Sequence, residues 1–424
     1  MPSPRGAASA PERATVADAA GVVADRSCRI AGRCQSVTGG HVSNVMRETR
    51  VMIGSDRARG EMPRSGVIRV GVIGAGHAAM MHLPALNHLP DTEVVALCSR
   101  RPDRAHLVAA RYGVRNVVAD YRALLLDPEI DAVIIATPPY LHHQMVLAAL
   151  EARKHILCEK PLARTLAEAR DMAKMAESAG VVAMINHEYR FIPARARAKE
   201  LIDEGYLGDP YSASVTVYRS SLNDPYGEAW DWLSEAAKGG GMLAAAGSHH
   251  IDALRWWLGE IKAVAGATAT MVKRRRLPES SQTAPVDADD NFAVLLRFVS
   301  GALATIHYSA TATHDVGDEV ILSGSEGILV ITGDGRLLGG RRRETLDELP
   351  IPERLEPEMP SFEHPLTTPT ILLLKQWVRA IRLGLQGSPS FADGIKVQEV
   401  LDGVVRSAQQ GRWIELTRSR FQIG

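Results

Sequence analysis

The sequence has little cysteine, few aromatic side chains and no excess of charge of either sign. Its four cysteines match neither the spacing of a zinc site nor a disulfide framework, so we expect a reducing, cytoplasmic compartment. Lysine plus arginine and aspartate plus glutamate both number 49, a balance that provides no field to hold nucleic acid or an anionic membrane. No apolar stretch is long enough to span a bilayer, and the N-terminus lacks the continuous apolar segment of an export signal. We therefore expect neither a nucleic-acid partner nor a membrane partner.

A change of pattern along the chain divides it into three regions. Residues 1–65 are rich in Ala, Gly, Ser, Arg and Pro without sustained periodicity, which predicts a mostly disordered extension, with a native start at Met62 as an alternative. Over residues 66–187 apolar strands alternate with helical segments, which predicts a doubly wound parallel sheet of the Rossmann type. Over residues 188–424 runs such as Asn291 to Phe298 alternate apolar and polar residues, which predicts a second α/β domain with an open, mainly antiparallel sheet.

The most informative segment runs from Val67 to Ala79, where an apolar strand leads into a glycine-rich turn. Gly74 permits the tight turn from strand to helix, and Gly76, which has no Cβ, lets backbone N–H groups approach a pyrophosphate. Ala79 lets the following helix pack against the strand, and His77 lies inside the turn. This G-x-G-x-x-A pattern predicts a dinucleotide site at the start of a helix, with these residues among the cofactor contacts.

The residues at the end of the second predicted strand indicate which nicotinamide coenzyme the chain binds. NAD-selective sites usually place an acidic residue here to bind the ribose 2′-hydroxyl, whereas this chain has Ser99, Arg100 and Arg101. Guanidinium groups match a 2′-phosphate in charge and geometry. We therefore expect NADP in preference to NAD, with the nearby carboxylate of Asp103 as the feature that would favour NAD instead.

Two further segments follow predicted strands, at the edge of the sheet where doubly wound folds bind ligands. The first consists of Thr137, Pro138, Pro139 and His142. Its prolines stiffen a loop that can pack against the nicotinamide ribose. The second consists of Glu159, Lys160 and Pro161. A lysine held near the cofactor can stabilise a developing alkoxide or share its proton, whereas a lysine at the free surface would have neither role.

Together these motifs resemble those of the glucose–fructose oxidoreductase/inositol dehydrogenase (GFO/IDH/MocA) family. The resemblance extends from about Val67 to Leu416 and rests on the order and spacing of several segments. Besides the glycine turn, the matching segments are Ala136–Pro138 with His142, Cys158–Pro161, Tyr189–Pro193, Gly239–Gly241, Gly247–His249 and Ser390–Gly394. Only the N-terminal extension lies outside the match.

The resemblance implies an N-terminal Rossmann domain and a C-terminal α/β domain whose open sheet mediates homo-oligomers. It also implies a nicotinamide-dependent enzyme, without a metal, that interconverts a hydroxyl and a carbonyl on a sugar, polyol or related small molecule. By the same resemblance Lys160 and His249 are the catalytic residues, and the Lys160–Pro161 bond is expected to be cis. The chemistry agrees, because a histidine suits proton transfer near neutral pH and an ammonium suits charge developing on oxygen.

The chain departs from the family at Ala245, four residues before His249, where many family dehydrogenases have an aspartate. The missing carboxylate removes an acceptor for the substrate and a partner that would raise the pKa of the histidine. Asp252 is a candidate to orient His249 in its place and to contact the substrate beside it, and a purely structural role for Asp252 is the alternative. The other expected substrate contacts are Tyr189, Arg190, Trp230 and Asp231.

Two other functions remain open on the sequence alone. Some members of the family use a bound nicotinamide transiently to cleave a glycosidic bond, with no net redox change. The fold can also serve as a non-catalytic, cofactor-sensing regulator, and the alanine at position 245 is compatible with that function. Product release without net reduction of the coenzyme would favour the first, whereas tight coenzyme binding without turnover would favour the second.

Overall fold

The structure, a computed structural model, describes residues 66–416 of the chain. The predicted extension, residues 1–65, lies outside the described residues, as do residues 417–424. The described part contains a six-stranded sheet, a nine-stranded sheet and a two-stranded ribbon.

The six-stranded sheet is formed by short, apolar, mostly buried strands. They are β1 (Ile68–Ile73), β2 (Thr92–Cys98), β3 (Asn116–Val118), β4 (Ala132–Ile135), β5 (His155–Cys158) and β6 (Ala183–Ile185). All neighbouring pairs are parallel, in the order β3-β2-β1-β4-β5-β6. The strand order therefore reverses between β1 and β4, the place where such sheets bind ligands. The predicted doubly wound parallel sheet is confirmed.

The helices connect the strands and cover the sheets. They are α1 (His77–Met80), α2 (His82–His88), α3 (Pro102–Tyr112), α4 (Tyr121–Leu126), α5 (Pro139–Glu151), α6 (Leu166–Ala179), α7 (Pro193–Asp203), α8 (Ser248–Leu258), α9 (Thr367–Leu383) and α10 (Phe391–Gln410). Short 3₁₀ turns occupy Glu188–Phe191, Trp232–Ser234 and Ala236–Lys238. Across residues 66–416 none of the helices combines the length and the apolar character that a membrane crossing needs.

The larger sheet contains most of the strands after residue 209. They are β7 (Pro210–Tyr218), β8 (Ile261–Ala269), β11 (Asn291–Phe298), β12 (Leu303–Ser309), β13 (Gly317–Gly324), β14 (Gly327–Ile331), β15 (Leu337–Arg341), β16 (Asp347–Glu348) and β17 (Ile414–Glu415), while β9 (Arg274–Arg276) and β10 (Thr283–Pro285) form the ribbon. Only β7 and β12 pair in parallel among these described strands. Buried and exposed residues alternate along β11, so one face covers a core and the other is open. The predicted open, mainly antiparallel sheet is confirmed.

One helix of the C-terminal region completes the core of the N-terminal sheet. Leu374 and Trp377 of α9 are fully buried in the same cluster as Val70 and Val72 of β1. The predicted domain boundary lies between residues 187 and 188. Helix α9 comes after this boundary in the sequence, but it packs against the six-stranded sheet that is formed before it.

The helix that ends at Leu258 is not α-helical throughout. It begins with a π-helical turn, Leu243–Gly247, and only then continues as α8. Asp289 binds the start of this turn, because its carboxylate accepts the Leu243 N–H at 2.8 Å and its carbonyl accepts the Met242 N–H at 2.9 Å. Turns of this type are frequent at functional sites.

Candidate active site

The glycine turn lies at the carboxyl end of β1. Gly74 has a φ of +113°, and a Cβ at this position would lie 2.3 Å from the carbonyl oxygen of Ala136, so the turn requires glycine. A Cβ on Gly76 would meet no atom within 4 Å, so the space beside its backbone is open. These are the features that a nucleotide pyrophosphate needs, and they fit the predicted dinucleotide site.

The small residue that packs α1 against the sheet differs from the predicted one. Ala78 is fully buried in the core of the N-terminal sheet. Ala79 is half-buried, and its carbonyl accepts the hydroxyl of Tyr112 at 2.7 Å. The close helix–strand contact expected of Ala79 is therefore made mainly by its neighbour.

The segment after β2 presents two exposed guanidinium groups at the same edge of the sheet. Ser99 Oγ accepts the backbone N–H of Arg101 at 3.2 Å, just before α3 begins. Arg100 donates to the hydroxyl of Tyr140 at 3.3 Å. Within the part of the chain that the structure describes, neither Arg100 nor Arg101 forms an ion pair with a carboxylate. Asp103 lies in the first turn of α3, beyond this pair of cations.

His142 is fully buried and links two loops of the site. Its Nε2 lies 2.7 Å from the carbonyl oxygen of Thr137, and its Nδ1 lies 3.1 Å from that of Pro161. The ring has no surface left for a ligand, so the direct cofactor contact predicted for His142 is corrected to a role in holding the two loops. Pro139 is buried at the start of α5, which leaves the half-buried Thr137 and Pro138 at the edge.

Lys160 links the N-terminal sheet to the helix that contains His249. Its bond to Pro161 is cis, as the family resemblance implied. Lys160 Nζ donates to the carbonyl of Ala245 at 3.0 Å, within the π-helical turn. The side chain is half-buried, so the ammonium keeps part of its surface accessible.

His249 lies in the first turn of α8 and is 3% exposed. Its ring stacks on that of Tyr189, with centroids 4.0 Å apart and an interplanar angle of 10°. Burial, followed by the positive charge of Lys160, holds the pKa of His249 well below its usual value. The imidazole is therefore neutral near pH 7 and able to accept a proton.

Glu159 is the centre of a buried polar group beside the glycine turn. Its Oε1 lies 2.7 Å from His82 Nε2 and accepts Asn186 Nδ2 at 2.9 Å, while Oε2 accepts the Lys160 backbone N–H at 3.1 Å. Burial alone would raise the pKa of Glu159, but the charges of His77 and His82 hold it below its usual value. Because Glu159 is 4% exposed, it acts by fixing the strand ends, and His77, with 37% of its side chain exposed, is the accessible member of the group.

Glu188 is a candidate functional residue that the sequence analysis missed. It is 1% exposed, its Oε1 lies 3.5 Å from His249 Nε2, and its Oε2 accepts Asn186 Nδ2 at 3.1 Å. Burial, followed by the negative charge of Glu159, raises the pKa of Glu188 to about 8. The carboxyl ends of parallel strands meet at one edge, so the position of Glu188 just after β6 was the signal that could have placed it here.

Arg190 and Asp252 bind each other. Nε and Nη2 of Arg190 donate to the two oxygens of Asp252 at 2.7 and 2.6 Å, and Nη2 lies 3.1 Å from Asp393. Arg190 is 6% exposed and Asp252 is 1% exposed. These contacts favour the structural alternative for Asp252, and the predictions that it orients His249 and that both residues contact substrate are corrected accordingly.

Trp230 and Asp231 belong to a loop that is held mainly by its own hydrogen bonds. Asp231 lines a cavity of about 240 Å³ that also includes Met242, the residue before the π-helical turn. Trp230 Nε1 donates to the carbonyl of Pro285 at 2.9 Å, and the Asp231 carboxylate accepts the Leu233 N–H at 2.8 Å. Both polar groups hold the loop, and their contact with substrate stays a prediction.

The site thus combines an open glycine turn, an ammonium and a neutral imidazole backed by a buried acid. An ammonium stabilises negative charge on an oxygen, and a neutral imidazole removes its proton. Within residues 66–416, no three His, Cys, Asp or Glu side chains are arranged to hold a metal ion. The groups present fit a nicotinamide coenzyme and a hydroxylated partner for it.

Comparison with known proteins finds one oxidoreductase family that matches both the N-terminal and the C-terminal sheet regions of the chain. Residues 68–187 match the GFO_IDH_MocA oxidoreductase family with an NAD-binding Rossmann fold, and residues 196–330 match the GFO/IDH/MocA C-terminal domain. A levoglucosan dehydrogenase of Pseudarthrobacter phenanthrenivorans is 31% identical, over 82% of this chain and 98% of the relative. A 1,5-anhydro-D-fructose reductase of Ensifer adhaerens is 33% identical, over 62% of this chain and 75% of the relative.

A solved structure shares the whole architecture. It is that of a levoglucosan dehydrogenase in complex with NADH and L-sorbose, with a TM-score of 0.77 and 29% identity. The similarity covers 82% of this chain and 99% of that one. The chain therefore belongs to the GFO/IDH/MocA family of oxidoreductases, with an NAD-binding Rossmann fold.

Proposed function

We propose that this oxidoreductase interconverts a hydroxyl and a carbonyl group on a sugar, polyol or related compound, with Lys160 and His249 as catalytic residues. The observation that best supports this is the 3.0 Å bond from Lys160 Nζ to the Ala245 carbonyl, because it brings an ammonium beside the helix of a neutral histidine. The relatives named above act, by their names, on levoglucosan and 1,5-anhydro-D-fructose, both sugar derivatives.

The two side chains divide the work at the reacting oxygen. His249 accepts the hydroxyl proton as the carbonyl forms, and Lys160 donates a hydrogen bond to the oxygen while negative charge develops on it. In the reverse direction the same groups return the proton. A nicotinamide coenzyme would supply the hydride acceptor or donor; Gly74 and Gly76 would hold its pyrophosphate, and Thr137 and Pro138 would contact its nicotinamide ribose.

A panel of sugars and polyols, assayed with both coenzymes at the absorbance of the reduced nicotinamide, tests this function. We expect net, substrate-dependent formation or loss of reduced coenzyme. Product release with no net change in that absorbance would favour cleavage of a glycosidic bond instead. Tight coenzyme binding without turnover of any compound would favour a regulator.

We further propose that the chain prefers NADP over NAD. Arg101 has an exposed guanidinium with no carboxylate partner among the described residues, and Ser99 supplies a small hydroxyl where a carboxylate would repel a phosphate. The family assignment itself supports NAD binding in the broader sense, and the NADP preference depends on these side chains.

Arg101→Ala is expected to weaken NADP binding by roughly tenfold or more, because it removes a charge-assisted contact to the 2′-phosphate. NAD affinity should change by less than about twofold, since NAD lacks that phosphate. Isothermal titration with both coenzymes measures this. Arg104→Ala, another exposed arginine on α3, is the matched control and should leave both affinities unchanged. An equal loss for the two coenzymes would contradict the proposed preference.

We also propose that residues 188–424 form the substrate-binding part and that the open face of the nine-stranded sheet binds a second copy of this chain. Leu295 and Leu303 lie on this face, 48% and 52% exposed, together with Tyr218 at 36%. Large apolar side chains grouped on an uncovered face typically mark an interface.

Leu303→Arg is expected to convert the homo-oligomer into monomers, because it replaces an exposed apolar contact on the open face with a second charge beside Arg297, its neighbour on β11. Light scattering coupled to size-exclusion chromatography measures the mass. Leu107→Arg changes another leucine, 74% exposed on α3, and should leave the mass of the oligomer unaltered. A monomeric wild-type protein at micromolar concentration would contradict the proposal.

We propose a reducing, cytoplasmic compartment for the chain. Cys98 and Cys158 are free and buried in the described structure. Burial raises the pKa of both thiols, so they stay protonated and unreactive. They behave as small apolar residues at the ends of β2 and β5.

A further inference from the structure

We propose that Glu188 is the carboxyl partner of His249 and that it exchanges with this histidine the proton taken from, or returned to, the substrate oxygen. The inference rests on the proposed function, because it concerns the proton of the same reaction. Glu188 acts through His249, so it is a positioning and proton-holding residue.

The geometry singles out Glu188 among the nearby acids. Its Oε1 lies 3.5 Å from His249 Nε2, whereas its Oε2 is occupied by Asn186 at 3.1 Å. One carboxyl oxygen is therefore fixed and the other faces the imidazole. Asp252 is engaged on both oxygens by Arg190 and is not available for this purpose.

The chain needs such a group because Ala245 has no carboxylate to offer. A histidine that becomes cationic in a buried site requires a compensating negative charge or a route for the proton to leave. Position 245 provides only its carbonyl, which Lys160 occupies. Glu188 approaches His249 from a different segment, the 3₁₀ turn after β6, and provides the carboxyl group from there.

The protonation of Glu188 is set by the groups packed around it. Burial and the carboxylate of Glu159 raise its pKa to about 8, and the charge of Lys160 opposes them. The titratable and charged groups that face it are Glu159 and Lys160 from the end of β5, and His249 and Asp252 from α8. Near pH 7 Glu188 thus holds a proton, and above pH 8 it is a carboxylate.

In both directions of the reaction the proton moves between the substrate oxygen, His249 and Glu188. In oxidation the hydroxyl O–H bond breaks, its proton moves to the imidazole, the hydride leaves carbon for the nicotinamide, and the C=O bond forms. The imidazolium then gives its proton to the Glu188 carboxylate, so oxidation needs Glu188 ionised. In reduction the protonated Glu188 returns the proton through His249 to the oxygen. The rate of oxidation should therefore rise, and the rate of reduction should fall, as the pH increases through about 8.

The first test needs no substrate, so its outcome is independent of the proposed function. Infrared spectra of the protein, recorded across a pH series, should show a protonated-carboxyl band that disappears as the pH rises through about 8. Glu188→Gln should remove this band. Glu399→Gln replaces another buried carboxyl, which lies on α10 and is 4% exposed, and this variant should retain the band. A band that survives in Glu188→Gln, or that is absent from the wild type, would overturn the proposal.

The second test uses the pH profile of kcat/KM for oxidation. Glu188→Gln keeps the shape of the side chain and removes its ionisation. The kcat/KM of the variant should therefore fall roughly 100-fold below that of the wild type well above pH 8, and only slightly below it well below pH 8. Glu188→Asp, which restores an ionisable group, should recover part of the high-pH rate. A loss of the same size at every pH would indicate a merely structural role and sink the inference. Absence of turnover in the wild type, with the infrared result intact, would instead refute the proposed function alone.

Discussion

Lys160→Met is expected to lower kcat by roughly 10²- to 10³-fold while the affinity for the coenzyme changes by less than about threefold. Methionine keeps the unbranched stem and removes the ammonium. The charge that develops on the reacting oxygen then has no donor beside it, and this interaction is stronger in the transition state than in the bound ground state. The glycine turn, which we propose holds the coenzyme, is untouched by the change.

Steady-state kinetics on a substrate from the panel and calorimetric titration of the coenzyme measure the two effects separately. Lys154→Met is the matched control, because the Lys154 ammonium, like that of Lys160, donates to backbone carbonyls, here those of Asp127 and Ile130. This control should reduce stability and leave kcat within about threefold. A Lys160→Met enzyme with wild-type kcat would remove Lys160 from the catalytic pair.

Asp252→Ala is expected to destabilise the protein by about 3–5 kcal/mol. The substitution leaves the Arg190 guanidinium buried with one carboxylate, Asp393, where it now has two. Burial of a charge without its partner is among the most costly single changes in a protein. The bridge also joins the segment of Glu188 to helix α8, so its loss should loosen the position of His249.

Equilibrium unfolding in urea measures this loss. Asp334→Ala is the comparison, since Asp334 pairs with Arg336 at the surface, with 60% and 51% of the side chains exposed. Such exposed pairs contribute about 1 kcal/mol or less. Similar losses in the free energy of unfolding for the two variants would show that the buried Arg190–Asp252 pair stabilises the fold no more than an exposed pair does.

The features that depend on local sequence were the predictable ones. The glycine turn, the short buried strands and the alternating runs such as Asn291–Phe298 each have a physical cause within a few residues, and the structure contains all of them. The pairing of Lys160 with the segment before His249 was predictable in outline, because the family motifs contain both residues. Their roles at the site remain predictions.

The features that depend on which distant groups meet were not predictable. His142 was assigned to the coenzyme, yet its ring is enclosed by carbonyls from two loops. Asp252 lies near His249 along the helix, but Arg190 comes from another segment and takes both of its oxygens. The position of Glu188 just after β6 predicts that it lies at the edge of the sheet, but the sequence does not show that His249 of α8 comes within 3.5 Å of it.

The position of α9 has a consequence for how the chain is made. During translation β1–β6 emerge from the ribosome long before Trp377, which fills the core of their sheet, has been synthesised. The nascent coenzyme-binding region therefore cannot complete its core, and leaves an apolar surface uncovered, until nearly the whole polypeptide has emerged. A stalled or truncated translation product that ends before α9 should for that reason be a substrate for chaperones and proteases instead of a folded fragment.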